Sequence, residues 1–158
     1  ILKAGRYRFD DEELWKASAA VLLEQENWVE AAEVLQVLAF KDTKYAIESA
    51  EAYRRAGLLQ RALLQNGFAP PSSEKTRQRL SLLLELHEYQ RVIALENRLT
   101  YWGLQEEDPV RYGLAYSFYQ LQDYETALGY LKGITDNSVF QQALGLRRAI
   151  ESCIEVGC

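Results

Sequence analysis

The sequence predicts an all-α protein: a right-handed α-solenoid of helix-turn-helix repeats, closed by a C-terminal capping helix. Three observations carry that expectation. Three prolines and nine glycines in 158 residues leave little room for a turn-rich β fold. Long stretches are dense in Leu, Ala, Glu, Gln and Arg, all good helix formers. A short motif also recurs four times in register.

Each copy of the motif has an aromatic residue or Leu, two mostly polar residues, Ala or Val, and then an apolar or small residue. The copies are Trp28-Val29-Glu30-Ala31-Ala32, Leu59-Gln60-Arg61-Ala62-Leu63, Tyr89-Gln90-Arg91-Val92-Ile93 and Tyr124-Glu125-Thr126-Ala127-Leu128. Their fourth residues are 31, 30 and 35 positions apart. Twelve residues ahead of each fourth residue lie Ala19, Ala50, Leu80 and Ala115, and three beyond those come Leu22, Tyr53, Leu83 and Phe118. This is the pattern of paired antiparallel helices. A small residue on each helix permits close approach, and a larger one a turn away fills the space beside it. A pair leaves one apolar side uncovered, so pairs stack, and the first helices line a concave face.

The elements follow in order. Helices are expected near 11–25, 27–40, 43–56, 58–66, 74–87, 89–102, 109–121, 124–134 and 139–155. Asp10 and Asp11 precede an acidic first turn, Glu12-Glu13, which suits a helix N-terminus. Gly57 and Gly67 fit helix ends, and Ser73 fits an N-cap. Asp108-Pro109 combines a cap with Pro at the first helical position, and Asn137-Ser138 opens the last helix. Phe68-Ala69-Pro70-Pro71-Ser72 is the clearest break, read as a distorted joint because the register resumes after it. The last helix shows an inward stripe of Phe140, Ala143, Leu144, Ile150 and Ile154. One domain is therefore expected over 1–158, with repeats near 11–40, 43–67, 74–102 and 108–134 and a capping helix near 138–156. A start at Ile1, without Met, reads as a piece of a longer or processed chain.

Composition removes several classes. No apolar run approaches the roughly 18–20 residues that cross a bilayer. A net charge of −5 disfavours nucleic acid, whose phosphates need a basic surface. The charge is uneven: residues 1–53 carry 6 basic and 11 acidic side chains, 54–98 carry 8 and 4, and 99–158 carry 4 and 8. Cys153 and Cys158 read as incidental thiols, as a disulfide if the last helix frays at Gly157, or, least of all, as metal ligands, since a structural zinc site wants four.

The recurring residues resemble the tetratricopeptide repeat, whose pattern runs Trp-x2-Leu-Gly-x2-Tyr, Ala, an aromatic, then Pro. The fourth repeat matches best, with Leu114-Ala115-x-x-Phe118 and Tyr124-x-x-Ala127. The first keeps Trp15, Ala19, Leu22 and Ala31, and the third departs at Leu80 and Val92. The divergent style is similar to repeats of bacterial envelope assembly proteins. The resemblance implies protein or peptide binding in the concave groove. The carboxylate clamp known in that family is incomplete here: Lys16 falls in place, but Ala20 stands where Asn is expected, and Glu48, Glu74 and Gln78 follow.

No enzyme, cofactor or metal site is expected. His87 is the single histidine, in a turn, with no nucleophile motif beside it. Glu12-Glu13 and Glu106-Glu107-Asp108 sit where helices begin and serve the dipole. The constellation that points to binding is Tyr112, Tyr116 and Tyr119, at i, i+4 and i+7 on one helix, offset from the Leu114/Ala115/Phe118 packing side. Packing against neighbouring helices is the competing role. Arg54, Arg55 and Arg77 are expected on the same surface, or else in ion pairs with Glu51 and Glu85. The function expected is a protein-interaction scaffold, with a structural spacer or a polysaccharide-binding module as alternatives.

Overall fold

The computed structural model describes residues 12–158, so the pair Asp10-Asp11 lies outside the described residues. Ten α-helices and one 3₁₀ turn form the regular structure, and no strand occurs among the described residues. No helix among them is long and apolar enough to cross a membrane. The chain divides into two compact units at Pro70/Pro71, inside the Pro-rich break.

The first unit holds α1 (Glu12–Glu24), α2 (Trp28–Ala39), α3 (Tyr45–Arg55) and α4 (Leu59–Phe68). Each helix packs on the next in sequence. Ala19, Ala31, Ala50 and Ala62 are all buried, so backbones approach closely where the motif puts its small residues. Two hydrogen bonds tie α3 to α2: Ser49 Oγ donates to the Ala32 carbonyl at 2.9 Å, and the Tyr53 hydroxyl donates to Gln36 Oε1 at 2.9 Å.

The second unit holds α5 (Ser73–Glu85), α6 (Tyr89–Ile93), α7 (Glu96–Tyr101), a 3₁₀ turn (Leu104–Glu106), α8 (Asp108–Gln120), α9 (Tyr124–Leu131) and α10 (Asn137–Val156). The helices α5 and α6 pack together and against α8, α8 pairs with α9, and α10 covers both. Leu80, Val92, Ala115 and Ala127 fill the anchor positions and are buried.

One device closes all four helix pairs. The first helix of each pair ends on a residue with positive φ, in turn Glu26, Gly57, His87 and Gln122. The amide after each of these donates five residues back, from Asn27 to Leu22, Leu58 to Tyr53, Glu88 to Leu83 and Asp123 to Phe118. The positive-φ residue itself donates three back, to Leu23, Arg54, Leu84 and Tyr119 respectively. This is a Schellman cap repeated four times, and it satisfies the last carbonyls of each helix while reversing the chain. The acceptors of the long bonds are the four larger anchors of the sequence motif. Only one of the four left-handed positions is glycine, so three side chains sit in a conformation that L-residues rarely adopt.

The structure differs from the sequence expectation at several points. The helix expected over 89–102 is interrupted: Leu95 N–H bonds to the Val92 carbonyl, a tight i−3 turn that separates α6 from α7. The α5 cap is Ser72, which accepts from Lys75 N at 3.0 Å, one residue ahead of the expected Ser73. Gly67 lies inside α4 rather than ending it. Asp108 does not cap its own helix. Its carboxylate accepts from the Thr135 and Asp136 amides, both at 2.8 Å, and so pins the α9–α10 connection. The inward stripe of α10 runs through Ala143, Leu146, Ile150 and Cys153, whereas Phe140 and Ile154 are exposed. Cys153 and Cys158 form a disulfide across the last turn.

Two outcomes follow. Ala115→Leu should overpack the α8–α9 contact and cost about 1–3 kcal/mol in urea unfolding; an unchanged midpoint would show that the contact tolerates bulk. Gln122→Gly should remove the left-handed penalty and raise stability by about 0.5–1 kcal/mol, after the added freedom of the unfolded chain is counted. A loss of stability in that variant would contradict the cap.

Candidate functional site

The helix α8 presents two faces. Val110, Leu114, Ala115 and Phe118 are buried on one side. Gly113 is buried too, and a Cβ there would lie 2.8 Å from Leu84 Cδ1, so the missing side chain lets α5 and α8 meet. Tyr112, Tyr116 and Tyr119 fall on the flank of this face and are half-buried. They pack their inner edges against the cluster of Ala115, Phe118, Ala127 and Ile150.

The three rings form a chain of contacts through Tyr116. Tyr112 stacks on Tyr116 at 6.4 Å between centroids, and Tyr116 is tilted on Tyr119 at 6.4 Å. Two tyrosines from the second helices extend the run. Tyr89, the first residue of α6, meets Tyr116 edge-on at 5.8 Å, and Tyr124, the first residue of α9, meets Tyr119 at 6.1 Å. His87 Nδ1 hydrogen-bonds the Tyr89 hydroxyl at 2.9 Å, which joins the single histidine to the same run. Burial pushes the Tyr89 phenol up, with hydrogen bonding from Tyr116 adding to it, and burial likewise raises Tyr112. These phenols stay protonated at neutral pH. The run therefore offers ring faces and edges with hydroxyl handles, which suits recognition of an apolar or aromatic side chain. Tyr89 and Tyr124 were legible in the sequence as the first residues of the third and fourth motif copies, yet their partnership with the α8 rings needs the folded hairpins.

The arginines expected beside the tyrosines are engaged in ion pairs. Arg54 and Arg55 belong to the first unit, and both bond Glu51, at 2.8 and 3.1 Å. Arg55 also lies over the Trp28 ring at 4.9 Å. Arg77 makes a two-pronged bond to Glu107, at 3.1 Å from Nε and 2.7 Å from Nη2. That pair ties α5 to the start of α8. Lys16, the one clamp-like residue, pairs with Glu12 and Glu13 on its own helix. Among the described residues no group of His, Cys, Asp and Glu is placed to hold a metal ion.

Behind the tyrosine face, Tyr130 of α9 stacks on Phe118 at 5.7 Å and donates a hydrogen bond to Glu96 of α7. Burial, then the Glu96 carboxylate, pushes the Tyr130 phenol up to about 12. No family model matches the chain, and no curated protein or solved structure matches it either.

The Tyr130 shift sets an alkaline limit. The folded phenol loses its proton at about 12, against 10.0 for an unperturbed phenol. The hydrogen bond thus stabilises the fold fully below the unfolded value, and its contribution is lost as pH rises through the folded one. Wild-type urea midpoints should fall across that window more steeply than those of Tyr130→Phe. Parallel pH profiles would remove Tyr130 as the cause.

Proposed function

We propose that this chain is a protein-interaction scaffold of tetratricopeptide-like helical repeats, stacked as a right-handed solenoid, and that a partner protein or peptide docks on the tyrosine run of α8. The observation that supports the reading is the run itself: Tyr112, Tyr116, Tyr119, Tyr89 and Tyr124 in ring contact, half-buried and presented from three helices. Rings braced against one another lose little conformational entropy on binding, which favours their use as anchors. Arg54, Arg55 and Arg77 each pair with a carboxylate of this chain, and the proposal rests on the rings rather than on them.

The test compares Tyr116→Ala and Tyr119→Ala for melting temperature and for affinity to a partner recovered with the wild-type chain. Affinity should fall by about thirtyfold, near 2 kcal/mol, while melting shifts by only a few degrees. A large drop in melting temperature with unchanged affinity would make the rings packing elements. A wild-type chain that recovers no discrete partner would favour the spacer reading.

A further inference from the structure

Lys75, Arg79, Arg91 and Arg98, from the basic middle of the sequence, neighbour one another in the second unit. An open pocket of about 490 Å³ lies between the first turns of α5 and the short α7. Lys75 and Thr76 come from α5; Asn97, Arg98 and Tyr101 come from α7, with Trp102 just past its end. The pocket exists because the tight turn at Ala94-Leu95 ends α6 early and starts a new helix, which packs on α5. Its volume falls in the range of small-molecule sites, roughly 300–1,000 Å³.

The lining combines two kinds of group. Tyr101 and Trp102 meet edge to face at 4.9 Å, and Tyr101 is 77% exposed, so its ring is open to a ligand. Lys75 and Arg98 supply positive charge, Asn97 supplies an amide, and none of the lining residues is acidic among the described residues. Arg79 and Arg91 reinforce the charge from α5 and α6. Burial pushes the Lys75 ammonium down, and the neighbouring Arg79 and Arg98 push it further. Arg79 is lowered in the same way, by burial and then by Arg91 and Arg98.

We infer that this pocket binds a small planar anion, an aromatic ring carrying a carboxylate or phosphate, with the ring against Tyr101 and Trp102 and the anionic group between Lys75 and Arg98. Two lining cations match one anionic group, and they are too few to follow a polyanionic backbone. The site shares no residue with the tyrosine run and does not depend on it.

The test is titration of the intact, ¹⁵N-labelled chain with 2-naphthoate, with adenosine monophosphate and with the uncharged 2-naphthalenemethanol. The three tryptophan indole N–H signals, from Trp15, Trp28 and Trp102, are read together. The expected result is movement of the Trp102 signal alone, with a Kd of about 1 mM or tighter for at least one anion and at least about tenfold weaker binding of the alcohol. The double variant Lys75→Gln/Arg98→Gln should lose at least about tenfold in affinity, while the Arg148→Gln control keeps it. If the double variant fails to fold, Arg98→Gln alone gives the same reading. Equal binding of the alcohol, movement of all three indoles, or full affinity in the variants would overturn the proposal. So would a single-stranded oligonucleotide that binds these residues more tightly than either small anion, because the pocket would then be a nucleic-acid contact.

Discussion

The left-handed residue at the end of each first helix is the constraint on which the rest of the molecule depends. An α-helix ends with carbonyls that lack partners, and the chain must satisfy them while turning back on itself. Here the same six-residue cap does both, at Glu26, Gly57, His87 and Gln122. Because the cap is fixed in length, it sets which residue starts the second helix and which face that helix turns towards its partner. The small anchors at Ala31, Ala62, Val92 and Ala127 each sit five residues beyond a left-handed position and are all buried. Cap and contact are thus two parts of one geometric unit.

This unit also explains residues that would otherwise invite a functional role. His87 is the single histidine, but its conformation is that of a cap and its ring bonds a tyrosine, with no nucleophile involved. Asp108 begins α8 in the sequence pattern of a cap, yet its carboxylate is spent on two amides of the α9–α10 connection, which hold it below the usual carboxylate range. Several charged side chains pair within their own unit. Glu51 takes both Arg54 and Arg55, and Glu107 takes Arg77. Those carboxylates are taken within each unit, whereas the tyrosine run and the α5–α7 pocket each assemble side chains from more than one helix.

The two candidate sites differ in how far they could be read from sequence. Tyr112, Tyr116 and Tyr119 share a helical face by spacing alone, so that part of the run was visible. Tyr89 and Tyr124 could be placed at helix starts, but their contact with the α8 rings depends on how two hairpins pack. The pocket was invisible. Its residues come from Pro71 to Trp102, and the 89–102 segment contains no Pro or Gly before Gly103 to announce a break. The interruption at Ala94-Leu95 leaves Leu95 and Leu99 buried, a requirement of packing rather than of local propensity.

By itself the sequence determined the helical class, the four paired segments, their register and the identity of the small residues at the contacts. Those features are local or periodic, set by the spacing of side chains along a helix and by the residues that cap it. Tertiary structure decided the rest: the split of α6 from α7, the phase of the apolar stripe on α10, and the pairing of Arg77 with Glu107. Each of these depends on which surface is offered by a segment distant in sequence. On α10, Leu146 rather than Phe140 turns inward because a shared core can bury only the stripe that meets α8 and α9, and the period of one helix does not say where that meeting lies.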